Sequence, residues 1–291
     1  MSMERVYMDG QFLSGDEAAV PVADRGFLYG DALFETLRTY SGVPFLLERH
    51  LRRLTDSCQE LGITPCESDA ELAEIAARLA GEVGAEAYLR IAVTRGSGYG
   101  PWPREMPERG RTVMVARALD EYPEELYTRG LRLVTSQIMR FEGSPLIAHK
   151  TANYLEAVLA RGAAAEAGAD EAVLLNTAGR VAELASANVF AVIYGRLITP
   201  DLDEGPLPGI TRGLVLDLAK GLGIPAHCGQ LTPEALGDAD EAFATSSLLG
   251  ICPITELDGS KIGEAQPDPV TRRLQAAYQE EISKRCSVSA R

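Results

Sequence analysis

Positive charge is scarce in this chain: 28 lysines and arginines face 42 aspartates and glutamates across 291 residues, for a formal net charge of -14. Phosphate backbones require a basic face, so the deficit argues against a nucleic-acid partner. Cysteine is thin as well. Cys58, Cys66, Cys228, Cys252 and Cys286 are odd in number and widely spaced, with no CxxC pair. That fits a reducing cytosol better than a disulfide scaffold. With only His50, His149 and His227, and no HExxH cluster, no metal site is expected. No run approaches the length needed to cross a bilayer. Met1 to Phe12 lacks a basic segment followed by an apolar one, so no secretory signal is expected either. These absences together predict a cytoplasmic, metal-free protein with no membrane contact. What is present is ordinary for a soluble fold: 46% hydrophobic and 24% charged residues, in a length that allows two domains or one large one.

The order of periodic segments predicts mixed α/β structure. Val6-Tyr7-Met8 runs into Asp9-Gly10, a pair that tolerates the positive φ of a hairpin turn. Leu47, Leu51, Leu54, Cys58 and Leu61 recur on one face of a helix over 48–61, stopped by Gly62. A second helix is expected over 69–81, then strands over 88–94 and 112–116. From Ala118 to Thr128 the chain is acidic and carries Pro123, as a linker would. Beyond it, strands over 131–135, 172–175 and 189–193 alternate with helices over 151–167, 210–222 and 270–283. Gly168 and Gly223 mark helix ends. The expected division is a small α/β domain over 1–119, a linker over 120–129 and a larger α/β domain over 130–291.

Lysine singles out one position. The chain holds four: Lys150, Lys220, Lys261 and Lys284. Lys220 sits at a helix end, Lys261 in a turn and Lys284 near the tail, each with an ordinary solvated role. Lys150 follows the apolar Pro145-Leu146-Ile147-Ala148 and precedes Thr151, a good N-cap for a helix from Ala152. Apolar neighbours and a positive helix end would both favour its neutral amine. Spacing alone favours the plainer reading, a surface lysine before a helix start.

Six segments in register decide the matter. His149-Lys150-Thr151-Ala152-Asn153-Tyr154-Leu155 resembles the lysine motif of fold-type IV enzymes dependent on pyridoxal 5'-phosphate (PLP). Val181 to Phe190 resembles that family's glutamate motif. Asp24 to Gly30 with Leu33-Phe34-Glu35-Thr36 resembles its N-terminal signature, and His50-Leu51-Arg52-Arg53-Leu54 its phosphate-arginine helix. Gly209-Ile210-Thr211-Arg212 and Thr245-Ser246-Ser247 resemble its two further phosphate loops. The family includes branched-chain aminotransferases, D-amino-acid aminotransferases and aminodeoxychorismate lyases.

The resemblance implies a two-domain fold-type IV architecture with the active site between a small and a large α/β domain, and PLP as cofactor. It implies Lys150 as the Schiff-base lysine, which would also carry the proton between Cα and the cofactor. Glu183 would keep the pyridine nitrogen protonated, and Tyr154 would meet the phenolate oxygen. Arg53 would bind the phosphate, with Arg49 and Arg52 as competitors on the same helix. Ile210 and Thr211 would offer backbone N–H groups to the same phosphate, and Ser247 a hydroxyl. Phe34, Tyr88 and Arg90 would wall the substrate pocket, with Tyr29 supplied across a homodimer interface. Tyr88 and Arg90 share one strand face by the period of two.

The reaction expected is amino-group transfer from a hydrophobic or branched-chain L-amino acid to a 2-oxo acid. The alternative is aminodeoxychorismate lysis, which releases pyruvate and 4-aminobenzoate. The loop from Gly96 to Trp102 lacks the arginine and histidine that D-amino-acid aminotransferases use to hold a carboxylate, which weighs against D specificity.

Overall fold

A computed structural model of the chain describes residues 4–100, 102, 106–264 and 269–286. Met1 to Met3, within the segment read for a secretory signal, and Pro101 of the Gly96 to Trp102 loop lie outside the described residues. The chain divides into two compact units. The first takes the described residues of Met1–Asp120, His149–Asn153 and Ile282–Arg291; the second takes Glu121–Ala148 and Tyr154–Glu281.

In the first unit, strands β1 (Arg5–Met8) and β2 (Gln11–Ser14) form the expected hairpin, with Asp9 and Gly10 both at positive φ. A short helix α1 (Arg25–Tyr29) leads into β3 (Ala32–Tyr40) and β4 (Val43–Pro44). Helices α2 (Leu47–Leu61) and α3 (Asp69–Val83) follow, then β5 (Ala87–Thr94) and β6 (Arg111–Ala118). The six strands make an antiparallel sheet in the order β2-β1-β6-β5-β3-β4. Leu33 and Leu37 of β3 and Leu89, Ile91 and Val93 of β5 pack with Leu51 and Leu54 of α2 and Leu72 and Leu79 of α3. The other face carries Phe34, Tyr88 and Arg90. Helix α3 begins with a full capping box, Ser68 and Glu71 satisfying each other's backbone N–H.

The second unit opens with helix α4 (Glu124–Arg129), inside the stretch the sequence reads as linker. Pro123 stands just before its first turn, where a missing N–H costs nothing, and Leu126 is buried beneath it. Then come β7 (Leu131–Arg140), α5 (Leu155–Glu166), β8 (Glu171–Asn176), β9 (Val181–Leu184), β10 (Asn188–Ile193) and β11 (Arg196–Pro200). They are followed by α6 (Ile210–Gly221), β12 (Ala226–Gly229), α7 (Pro233–Gly237), β13 (Glu241–Ser246), β14 (Gly250–Leu257) and β15 (Ser260–Lys261). The last helix, α8 (Pro269–Cys286), starts in this unit, and its residues from Ile282 count with the first. The sheet runs β12-β11-β10-β13-β14-β7-β8-β9, with β15 paired to β14. Parallel pairs occur where helices carry the crossover: β7 to β8 through α5, and β11 to β12 through α6. The remaining parallel pair is β14 with β7. A stacked pair, Phe190 on β10 and Phe243 on β13, lies fully buried. Among the described residues no helix is long and apolar enough to cross a membrane.

Candidate active site

The helix expected to start at Ala152 starts instead at Leu155, and its N-cap is Tyr154, not Thr151. Residues 150–152 run against β3: Phe34 N–H donates to the Lys150 carbonyl at 2.9 Å, Ala152 N–H to the Ala32 carbonyl at 2.8 Å, and Thr151 bridges Leu33. Lys150 therefore follows a strand partner and does not head a helix, which corrects the reading of its surroundings. The physical reason is that pairing with β3 satisfies the backbone of 150–152 in a way the first turn of a helix would not. Tyr154 stands at the start of α5, outside the segment that pairs with β3. It belongs to the second unit.

Within the first unit, the Lys150 amine lies 4.6 Å from the centroid of the Phe34 ring. The Arg90 guanidinium lies 3.7 Å from the same centroid. Both are cation–π contacts, so one aromatic ring holds an amine and a guanidinium on a shared platform. Arg90 has no carboxylate partner among the described residues. Tyr88, two residues before it on the same strand face, is half-buried with Arg117 over its ring. Tyr29 is 40% exposed, and its hydroxyl accepts from Gly100 N–H at 2.7 Å.

On the helix-facing side of β3, Glu35 is buried and grips Arg53. Arg53 Nε donates to Glu35 Oε1 at 2.7 Å and Nη2 to Oε2 at 2.6 Å. His50 Nδ1 lies 2.6 Å from Oε2. Burial would raise the Glu35 carboxyl, but the Arg53 charge and the hydrogen bonds from His50 and Arg53 outweigh it and hold it at about 2. Burial pushes His50 down. The ionised Glu35 can only accept, so Nδ1 carries the hydrogen. Of the three arginines the sequence offered, Arg52 is exposed and Arg53 turns inward. Neither Glu35 nor His50 stood among the expected cofactor residues. Both fall inside segments that resemble the family's motifs, but no local pattern marks either as a partner of Arg53.

Within the second unit, Glu183 on β9 is buried, ion-paired with Arg140 and hydrogen-bonded by the Leu207 N–H and the Asn188 amide. Arg140 Nη2 lies 2.9 Å from Oε1, the Leu207 N–H 3.1 Å from Oε2, and Asn188 Nδ2 3.3 Å from Oε2. Asn188 Nδ2 also donates to the Leu207 carbonyl at 2.9 Å. The ion pair and the two hydrogen bonds hold and aim the carboxylate. Arg140 and Asn188 are residues that sequence reasoning did not single out. Desolvation around the Tyr154 hydroxyl, then the Glu183 and Glu171 carboxylates, push its phenol above the ordinary value. It stands as a neutral donor.

Asn188 opens β10 and pairs in register with Thr245 near the end of β13. Gly209 is the N-terminal cap of α6 and makes no side-chain capping bond, so no side chain of its own takes the first-turn N–H groups. A Cβ at Gly209 would collide with Asn188 Oδ1. Thr211 is buried in that first turn, and Ile210 precedes it. The Thr245 hydroxyl is buried with no hydrogen-bond partner among the described residues. Ser247 lies in the turn between β13 and β14. A helix N-terminus, a glycine that admits close approach and an unsatisfied hydroxyl at one end of the sheet suit an anion such as a phosphoryl group. Each unit therefore carries groups that suit PLP: the first a lysine and an arginine turned inward, the second a buried carboxylate, a phenol and a place for an anion.

Comparison with known proteins agrees. Residues 32–257 match the family described as amino-transferase class IV. A Methanocaldococcus jannaschii protein provisionally named branched-chain-amino-acid aminotransferase is 37% identical over 95% of this chain and 96% of its own. A D-alanine aminotransferase of Bacillus licheniformis is 33% identical over 96% of this chain and 97% of its own. The crystal structure of a branched-chain aminotransferase from Thermoproteus uzoniensis with norvaline has a TM-score of 0.89 and 29% identity. It covers 98% of this chain and 96% of its own. Another solved branched-chain amino acid aminotransferase, complexed with N-(5'-phosphopyridoxyl)-L-glutamate, also has a TM-score of 0.89 and 29% identity, over 97% of this chain and 95% of its own. The chain belongs to the class IV aminotransferases, with the fold-type IV architecture. It is a PLP-dependent transferase.

Proposed function

We propose that this enzyme moves the amino group of a hydrophobic or branched-chain L-amino acid to a 2-oxo acid such as 2-oxoglutarate. The observation that carries the reading is Arg90, a guanidinium with no acidic partner among the described residues, on the same Phe34 ring as the Lys150 amine. A cation so placed receives a carboxylate, and both substrates of the reaction carry one. The 37% identical relative and the L-glutamate adduct in the similar structure support this hand and substrate class.

When bound, the cofactor supplies an electron sink for the charge left at Cα as its proton departs. The chain's residues do the rest. Lys150 Nζ would hold the cofactor covalently and, once displaced by the substrate amine, would carry the proton between the substrate Cα and the cofactor C4'. Glu183, fixed by Arg140, Asn188 and Leu207, would hold the ring-nitrogen proton. Tyr154 would donate to the phenolate oxygen. Arg53, the first-turn N–H groups of Ile210 and Thr211, and the Ser247 hydroxyl would bind the phosphate. Phe34 and Tyr88 would form apolar walls for the side chain. Tyr29 would come from a second copy of the chain. The exposed apolar side chains Val22, Phe27 and Tyr99 in the first unit, and Leu155, Val158 and Leu159 on α5, suit a homodimer.

The test adds single amino acids to PLP-loaded protein and follows the visible spectrum. Conversion to the pyridoxamine form by L-valine or L-leucine, and not by D-alanine, supports the proposal. Conversion by D-alanine alone overturns the assigned hand. Indifference to every amino acid, with pyruvate released from aminodeoxychorismate, assigns the lyase instead.

A further inference from the structure

We propose that Glu35 is a positioning residue for the cofactor phosphate, acting through Arg53. The inference rests on the assignment of Arg53 to the phosphate. Glu35 projects from the helix-facing side of β3 and is 1% exposed. Both of its oxygens are committed to one guanidinium, through Nε and Nη2, and Oε2 also takes His50 Nδ1. His50 and Arg53 stand three residues apart on α2, one turn along the same helix face. The result is a buried fork that fixes the guanidinium plane and leaves its orientation independent of the ligand.

Charge counting sharpens the point. Glu35 is ionised and His50 is neutral, so Glu35 and Arg53 form a locally neutral pair. Arg53 then contributes little net charge toward a phosphate. What it contributes is a donor array in a set direction, and that direction is imposed by Glu35. A lysine at position 53 would keep the charge and lose the fork. A glutamine at position 35 would keep the shape, but its amide NH2 would face a donor, so one arm of the grip is lost.

The test compares equilibrium binding of PLP with binding of pyridoxal, which lacks the phosphate, to the full-length protein. Glu35→Gln and Arg53→Lys are each expected to weaken PLP binding about 10- to 100-fold while leaving pyridoxal binding unchanged. Equal losses for both ligands in Glu35→Gln would make its role merely structural and overturn the inference. So would a wild-type ratio in Arg53→Lys, which carries the test alone should Glu35→Gln fail to fold. Arg53→Ala separates the two layers. If it leaves the PLP-to-pyridoxal ratio unchanged, the phosphate assignment of Arg53 is what failed. If it abolishes the preference for PLP while the other two variants keep it, only the role of Glu35 is refuted.

Discussion

Replacing Glu183 by glutamine tests how its carboxylate is held, because the groups that meet its two oxygens call for an acceptor at each. If the new amide nitrogen takes the place of Oε1, it faces the Arg140 guanidinium; if it takes the place of Oε2, it faces the Leu207 N–H and the Asn188 amide. Asn188 cannot turn to relieve the clash without losing its bond to the Leu207 carbonyl. Arg140 also loses its counter-charge, though at 22% exposure it keeps some solvent. One misdirected donor and the lost ion pair together cost about 2–4 kcal/mol. Urea unfolding of the cofactor-free protein, followed by circular dichroism, reads that loss without any contribution from catalysis. In the loaded protein the same variant should fail the half-reaction with amino acid, since a neutral amide does not hold the ring-nitrogen proton. A Glu183→Gln protein as stable as wild type would refute this account of how the carboxylate is held.

Gly209→Ala should weaken PLP binding and loosen Glu183 together, because the added methyl displaces Asn188; fluorescence titration with PLP reads the first effect. Glu35 sits at about 2 in the folded protein against 4.5 for a free carboxyl, so it adds stability above the unfolded value and loses it as the pH falls toward the folded one. Wild-type stability should therefore fall between about pH 4.5 and 2 more steeply than that of Glu35→Gln, as measured by urea midpoints across that window. Burial pushes the Cys58 and Cys252 thiols to about 12, so a thiol reagent at pH 8 should modify exposed Cys66 first and leave those two until the chain unfolds. Mass spectrometry of labelled peptides reads the order.

The helices on either side of Gly62 and the strand carrying Arg90 were legible because their apolar residues keep one period without interruption. Strand β3 was not legible as a strand. Glu35 occupies a core-facing position and breaks the alternation, and its burial makes sense only once His50 and Arg53 are seen to meet it. Residues 150–152 misread as a helix start for a related reason. Thr151 is a good N-cap by type, but its backbone pairs with a strand more than a hundred residues earlier, which no local signal carries. The expected roles of Lys150, Glu183 and Arg53 came from motifs in register. Arg140 stands in no motif, and the support that Arg140 and Asn188 give Glu183 emerged from three-dimensional proximity alone. The absence of an acid beside Arg90 among the described residues is also a fact of packing, and it turns an ordinary strand arginine into a candidate carboxylate receptor.

That Lys150 carries the cofactor is the central claim. Borohydride reduction of the PLP-loaded protein makes the lysine link permanent, and peptide mass spectrometry then reports which of the four lysines is modified. The expected result is the phosphopyridoxyl mass on the peptide containing Lys150 and none on Lys220, Lys261 or Lys284. Modification at any of those three, or an undiminished yield of modified protein in Lys150→Ala, would contradict it.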